Sequence, residues 1–526
     1  MQLSGKHVIG GQRSAAAGAT FTANNSATGE TLSPSFAEAT PAEVDRCLRL
    51  ADAAFDELQT VGWDAIAALL DAIAVNIEAV GTPLLDRAHA ETALPIGRLE
   101  GERARTTNNC RFFAAMVRDG SWLQARIDHA DSARQPLPKP DVRAMLTGVG
   151  PIGVFGASNF PLAISVAGTD TIAAFAARCP VIVKGHPGHP GTSELIAGCI
   201  VDAIAAAGLP FGMFALLQGA SNEVGRALVE HPLTAAVAFT GSLRGGRALF
   251  DVAVARPHPI PVYAEMGSVN PVFLLPGAVA ERGQQIAEGY IQSVTLGVGQ
   301  FCTNPGMVLG VANAGLDEFL AATAAAAERV APATMLHAGI HSAFEKGVER
   351  LASAPGVDTV AASASVADSA KHQAAVRIFA ADARLAAERE EFREEVFGPA
   401  SVVFRCESVD QMYEIARNLD NHLTATIHGT EAELLEHAAL VRILQRKVGR
   451  LIFNGFPTGI EVCPSMHHGG PYPATTHSHF TSIGQAAIYR FTRPVCYQGF
   501  PESALPPELK DANPRSLHRI VDGRLS

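Results

Sequence analysis

VGPIGVFG at residues 149–156 is a short apolar run, and the LAISVAGTDTIAAFAARC that follows at 162–179 has the apolar spacing of a helix. VIVKG (181–185) is strand-like again and GTSELIAGCIVDAIAAAG (191–208) helical, and the pattern repeats through FALLQG (214–219), NEVGRALVEH (222–231), AAVAFTG (235–241) and RGGRALFDVAVAR (244–256). Brief apolar strands alternating with helices of this length predict βαβ units, and so an α/β chain with a parallel sheet covered on both faces. Ligands of such sheets sit beyond the carboxyl ends of the strands. The strand-end loops at 156–161, 184–191 and 240–246 are therefore the places to look for a site.

Upstream, residues 41–130 read as amphipathic helices, as in PAEVDRCLRLADAAFDELQ (41–59), and a second αβ-rich stretch runs from about 270 to 455,. A polar, Pro-rich arm near 120–147 reads as a linker or an extended strand, and the tail from 456 to 502 is dense in Gly, Pro, His and Thr without clear periodicity. At 526 residues the chain is too long for one compact core, so two or more domains are expected,. With 48% apolar residues it is not a disordered chain, and its net charge of −11 with scattered Lys and Arg argues against nucleic acid,. No membrane partner is expected, since the most apolar region, 195–217, is interrupted by Asp202, Pro210 and Gly212,. Eight cysteines without close pairs fit neither a disulfide framework nor a zinc site, and most read as small buried hydrophobes in a reducing cytoplasm,. Cytoplasmic localisation is the expectation.

Three residues could carry chemistry. Cys302 lies in the glycine-rich GVGQFCTNPG (297–306), where a thiol has room and nearby amide dipoles to act as a nucleophile; taken alone, a loop cysteine is more often inert,. Glu265 ends the strand-like part of PVYAEMGSVNP (261–271), and flanking by Tyr263, Ala264 and Met266 would desolvate it, raising its pKa toward that of a general base,. A strand-end carboxylate pointing into water is an equal alternative on spacing alone. Asn159, in GASNFPLA (156–163), could donate to a developing oxyanion, although a turn or cap role is commoner,. KGHPGHPGTSE (184–194) and FTGSLRGG (239–246) are strand-to-helix turns of the kind at which a pyrophosphate meets a helix N-terminus,. The four histidines of CPSMHHGGPYPATTHSHF (463–480) match no common metal spacing, so this reads as a polar loop and no metal is expected,.

In their order along the chain, SNFP, the strand ending at Lys184, FTGS, an EMG segment, GQFC and EEVFGP (394–399) resemble the aldehyde dehydrogenase superfamily, from NSATGE (25–30) to YRFTRPV (489–495). Within it KGHPGHPGTSELI, VYAEMGSVNPVFLLP and PTGIEVCPSMHHGGPYPATTH are most similar to the 2,5-dioxopentanoate (α-ketoglutarate semialdehyde) dehydrogenases, with an NADP-linked fatty-aldehyde dehydrogenase as a near relative. The resemblance implies a Rossmann-like cofactor domain from 1–120 and 148–265, a catalytic domain over 266–455, and an oligomerisation arm from 121–147 and 480–500, in a homodimer or homotetramer. It implies Cys302 as nucleophile, Glu265 as the base for the hydrolytic water, and Asn159 with the Cys302 backbone N–H as oxyanion donors. Lys184, His186, Pro187, Gly241 and Ser242 fall on cofactor positions, and Glu395 and Phe397 on the nicotinamide-ribose side. Met266 and Ser268 depart from the family's usual ELGG, with little consequence expected. The arginines that hold the distal carboxylate in succinic semialdehyde dehydrogenases map to Ala167 and Leu296, so an acidic aldehyde needs another anchor.

The implied reaction is oxidation of a small-molecule aldehyde, 2,5-dioxopentanoate foremost, through a Cys302 thioester. The expected cofactor is NADP, or NAD and NADP with little discrimination. The family's NAD-selecting glutamate falls on Pro187, and Lys184 and His186 offer positive or donor groups nearby,. Two rivals are a cysteine hydrolase, for which no sequence feature fixes a Cys–His pair, and a non-catalytic binding protein, against which intact Cys302, Glu265 and Asn159 speak.

Overall fold

The structure, a computed structural model, describes residues 2–526. Strands form where the sequence alternation predicts them, at Ile152–Phe155, Val181–Lys184, Phe214–Leu217, Ala236–Thr240 and Val262–Glu265. Their side chains are buried on both faces, which is why they read as continuous apolar runs rather than as alternating ones,. All pair in parallel, joined by the helices Thr169–Ala176, Pro190–Ala207, Asn222–Glu230 and Leu243–Val254. From Ile152–Phe155 the sheet grows one way through Val181–Lys184 to Phe214–Leu217, and the other way through Ala236–Thr240 to Val262–Glu265. The switch in direction lies between Ile152–Phe155 and Ala236–Thr240, and the crevice beyond their carboxyl ends is where such a sheet takes a nucleotide. Two antiparallel strands, His7–Ile9 and Gln12–Ser14, complete the far edge; these were not read from the sequence.

A second seven-stranded sheet has the order Val357–Ala362, Arg377–Asp382, Ala400–Cys406, Met307–Val311, Val272–Leu274, His422–His428, Val448–Phe453, parallel except at its first pair. It packs separate apolar cores on its two faces, one around Phe273, Phe379 and Phe404, the other around Tyr290, Phe319 and Val403.

The stretch 41–130 holds four helices, Pro41–Leu58, Trp63–Val80, Thr82–Thr92 and Ile96–Asp119, the first opened by a Thr40–Glu43 capping box with Pro41 behind it,. The helical reading ran too far. Gly120, at φ +71°, ends the last helix, and Arg126–Asp128 is already a strand,. That strand pairs with Val142–Gly148, whose other edge takes Thr492–Gln498, while Ile520–Val521 and Arg524–Leu525 extend the far side into a third sheet.

Pro190–Ala207 is long and apolar enough to cross a membrane, which the reading of 195–217 as interrupted overlooked. With 72% of it buried against the helices Trp63–Val80 and Thr82–Thr92 and the first sheet, it is a core helix.

Candidate active site

The two large sheets bring Cys302, Glu265 and Asn159 together from three separate segments. Glu265 is the last residue of Val262–Glu265 and Asn159 lies in the turn after Ile152–Phe155. Cys302 sits in the loop between the helix Pro276–Thr295 and the strand Met307–Val311. Gly297, Val298 and Gly299 are all left-handed there, at φ +56°, +59° and +66°. A β-branched valine in that region is strained, and strain of this kind persists only where surrounding contacts hold it. At Gly299 a Cβ would stand 2.3 Å from the Gly398 carbonyl carbon, so only glycine lets this loop close on the EEVFGP segment,.

Asn270 fixes the loop from the other side. Its buried amide donates to the Cys302 carbonyl (2.8 Å) and the Asn304 carbonyl (2.9 Å), while its oxygen accepts from Ser268 (2.9 Å) and Thr424 (2.9 Å). Ser268, the departure from a second glycine, thereby holds the loop's anchor. Asn159 Nδ2 donates to the Gln300 carbonyl at 3.0 Å. The amide's second N–H is left for an oxyanion, the role the resemblance assigns to it.

The tail loop supplies a residue that spacing did not reveal. His468 is buried, with Nε2 3.0 Å from Glu265 Oε1 and 3.5 Å from Cys302 Sγ. Its backbone N–H donates to Thr481 Oγ1 at 2.8 Å, and Ser482 donates its hydroxyl to the other Glu265 oxygen. Met266 N–H to the Ala474 carbonyl and Thr476 N–H to the Ala264 carbonyl lay this tail along the end of the Val262–Glu265 strand. Sequence spacing also could not show that ligand-type atoms of Glu265, Cys302 and His468 fall within 4.8 Å of one another, a donor set a zinc ion could use,. The Cys–His pair that a hydrolase would need is present as well.

Electrostatics at the trio revise one expectation. Burial works to raise the Glu265 pKa, as predicted, but the His468 imidazole and hydrogen bonds from His468, Ser482 and Cys302 outweigh it. The carboxyl is held below its usual value, ionised and ready to accept a proton. The Cys302 thiol is pushed well up, first by burial and then by the Glu265 charge beside it, with Arg105 opposing. It is a thiol at rest. The remaining cysteines are free, five of them buried, with Cys463 half-buried and Cys496 exposed.

The residues expected at the cofactor lie along neighbouring strand ends. Lys184 Nζ donates to the Gly219 carbonyl at 2.5 Å, and burial pushes its pKa down to about 8. His186 accepts the Gly188 N–H on Nδ1 at 3.0 Å and stacks on His189, ring centroids 5.2 Å apart. Burial, with His189, Lys184 and His337 nearby, lowers its pKa well below the usual value, so His186 is a neutral donor and not the positive group it could have been. Pro187 follows in the same turn. Gly241 N–H donates to the Glu265 carbonyl at 3.1 Å, and Ser242 caps the helix Leu243–Val254 through Gly245 N–H at 3.2 Å. Both are exposed at the switch crevice, where a capped helix start suits a pyrophosphate,. Glu395 is half-buried against Gly267, where a Cβ would come within 2.7 Å of its Oε2; burial lifts its carboxyl to about 8. Phe397 lines the same cavity as Glu395 and Ser268. Strand ends, an exposed helix start and a lysine along one crevice fit a dinucleotide.

Residues 13–471 match the aldehyde dehydrogenase family. An α-ketoglutaric semialdehyde dehydrogenase 2 of Azospirillum brasilense is 48% identical, over 100% of both chains. An α-ketoglutaric semialdehyde dehydrogenase of Acinetobacter baylyi is 43% identical, over 99% of both. Among solved structures, a variant of aldehyde dehydrogenase C from Pseudomonas syringae, complexed with NAD+ and octanal, superposes with a TM-score of 0.79 at 20% identity, covering 95% of this chain and 98% of that one. The chain belongs to the aldehyde dehydrogenase family, as an oxidoreductase that acts on aldehydes with a nicotinamide nucleotide.

Proposed function

We propose that the protein oxidises α-ketoglutaric semialdehyde (2,5-dioxopentanoate) to 2-oxoglutarate with NADP, or with NADP and NAD alike. The observation that carries it is the identity of 48% and 43% along the full length of two relatives so named, over an intact Cys302, Glu265 and Asn159. Cys302 Sγ gives its proton to His468 Nε2, leaving Glu265 ionised, and attacks the aldehyde carbon,. The Asn159 amide and the Cys302 backbone N–H hold the oxygen that becomes negative. Bound nicotinamide supplies the hydride acceptor. Glu265 then takes a proton from water, whose oxygen attacks the thioester, and the carboxylic acid leaves as the thiol is restored.

NADP fits the 184–189 turn because Pro187 has no group to repel a 2′-phosphate and His186, with Nδ1 accepting from Gly188, keeps Nε2–H as a donor,. A homodimer or homotetramer fits the free edge of Thr492–Gln498 in the third sheet. A cytoplasmic enzyme fits eight unpaired cysteines,.

An aldehyde panel followed by absorbance of the reduced nucleotide tests this reading. Expected is the highest kcat/KM with 2,5-dioxopentanoate and loss of nearly all turnover in Cys302→Ala with cofactor binding retained. Long-chain alkyl aldehydes better by tenfold, about 1.4 kcal/mol of transition-state binding, would favour a fatty-aldehyde enzyme instead.

A further inference from the structure

The helix Ile96–Asp119 carries Arg98, Glu102 and Arg105 at i, i+4 and i+7, on one face,. That face meets the site. Glu102 is buried, and its Oε1 accepts the Leu162 N–H (2.8 Å) and the Ala163 N–H (3.0 Å), fastening the helix to the loop just past Asn159. Arg98 Nη2 donates to the backbone carbonyl of Asn159 itself at 2.7 Å. Its guanidinium lies 5.1 Å from the Phe160 ring centre and 5.2 Å from that of Phe301, and those two rings meet edge to face at 5.4 Å. Phe160 follows the oxyanion donor and Phe301 precedes the nucleophile. The aromatic pair, with Ala163, makes a small buried apolar cluster one residue away from each of them, and the arginines stand on that cluster.

Arg105 is the group left over. Its guanidinium lies 5.3 Å from the Phe160 ring centre, and among the described residues it makes no ion pair and no hydrogen bond. The neighbouring carboxyl, Glu102, spends Oε1 on the Leu162 and Ala163 N–H groups and makes no ion pair with either arginine among the described residues, so the triad keeps at least one positive charge. Arg98 Nη1 and Glu102 Oε2 are also buried without partners. A partly desolvated cation with no counter-ion is costly unless an anion arrives to share it. Burial weakens the hold of Arg105 on its own proton, and its charge acts on both Cys302 and Glu265, so the free guanidinium lies within electrostatic reach of the trio. Arg450, also felt at Cys302, is occupied: its guanidinium donates to the carbonyls of Pro457 (2.6 Å) and Gly459 (3.2 Å). Ala167 and Leu296 offer no charge at the positions that carry the arginines in succinic semialdehyde dehydrogenases.

We propose that Arg105, steadied by Arg98 and Glu102 along one helix face, binds the distal carboxylate of the aldehyde substrate. This rests on the acidic-aldehyde reading above. A planar guanidinium takes a carboxylate through two parallel N–H donors, and the apolar Phe160 and Phe301 faces between it and Cys302 would cover the intervening carbons.

The test compares 2,5-dioxopentanoate, succinic semialdehyde and uncharged pentanal in wild type, Arg105→Gln and Arg105→Lys. For Arg105→Gln the expectation is a loss of about 100-fold in kcat/KM for both acids, mostly in KM, with pentanal changed less than about threefold. Arg105→Lys should recover part of the loss, since it restores charge without the fork. An equal loss for acids and pentanal, or no loss for the acids, overturns the anchor while leaving the acidic-substrate reading intact. Wild type preferring pentanal to both acids overturns both. Wild type preferring succinic semialdehyde, with that preference lost in Arg105→Gln, keeps the anchor and removes only the named substrate.

Discussion

At Glu265 one carboxyl answers to opposing influences, and their balance sets the order of the chemistry. Desolvation alone would hold a proton on it, while His468, Ser482 and the Cys302 thiol take that proton away. Glu265→Gln keeps the shape but cannot accept a proton. With His468 still 3.5 Å from the thiol, acylation should survive and hydrolysis fail. A rapid-mixing experiment should show a burst of about one reduced nucleotide per site followed by slow turnover. If burst and turnover vanish together, Glu265 serves the thiol rather than the water. His468→Asn in the same experiment should slow the burst by about 10- to 100-fold. Removing the imidazole also raises the Glu265 pKa, so the acidic limb of the rate profile should move to higher pH; an unmoved limb would leave His468 a packing residue. Glu395 gives a separate test through stability. Its proton is kept in the fold up to about pH 8 but leaves the unfolded chain near the ordinary value of 4.5, so stability falls as pH rises through that window and levels off above it,. Glu395→Gln should flatten this fall, measured as denaturation midpoints from pH 5 to 9; parallel curves would refute the buried carboxyl. Cys302, Glu265 and Asn159 were legible because each stands at a strand end or in a glycine loop. His468 was not, since it lies 203 residues from Glu265 in sequence and in a loop without periodicity.

Among the elements, the turn from Lys184 to His189 is the one on which the proposed cofactor choice rests. It joins the strand Val181–Lys184 to the helix Pro190–Ala207 and contains no acid, the first being Glu194 inside the helix, which is taken up by Ser4, Gly5 and Arg13. Pro187→Glu should therefore introduce a 2′-hydroxyl acceptor and move the ratio of kcat/KM for NADP over NAD by about tenfold toward NAD. Wild type that already favours NAD by more than about a hundredfold contradicts this reading of the turn. Element identities were legible from apolar periodicity alone. Their limits were less so: the helical pattern ran on to residue 130, whereas the left-handed Gly120 stops the helix ten residues earlier.

For the molecule as a whole, the third sheet is the exposed feature. Thr492–Gln498 pairs on one side only, with Val142–Gly148, and leaves Arg493, Pro494, Cys496 and Gln498 exposed. An unpaired edge of this length is a template for another chain, and pairing with a second copy is the symmetric way to cover it. Light scattering should give two or four times the chain mass, and Val495→Asp on this strand should lower it. A single-chain mass for the wild type contradicts the oligomeric reading. The arm near 120–147 was visible as polar and Pro-rich, but Ile520–Val521 and Arg524–Leu525 joined it without any signal in their own sequence.

The sequence by itself determined the parallel sheet, the family and the three residues Cys302, Glu265 and Asn159 that the fold brings together, because strand periodicity and glycine-loop motifs are local properties that survive outside the fold. Only the tertiary structure decided what surrounds them. It brought His468 from the tail to Glu265, set Asn270 under the Cys302 loop, left Arg105 unpaired on the Phe160 face, and turned the Glu265 pKa downward. Each of these depends on groups distant in sequence meeting in a water-poor space, where a charge or hydrogen bond counts for far more than in solvent.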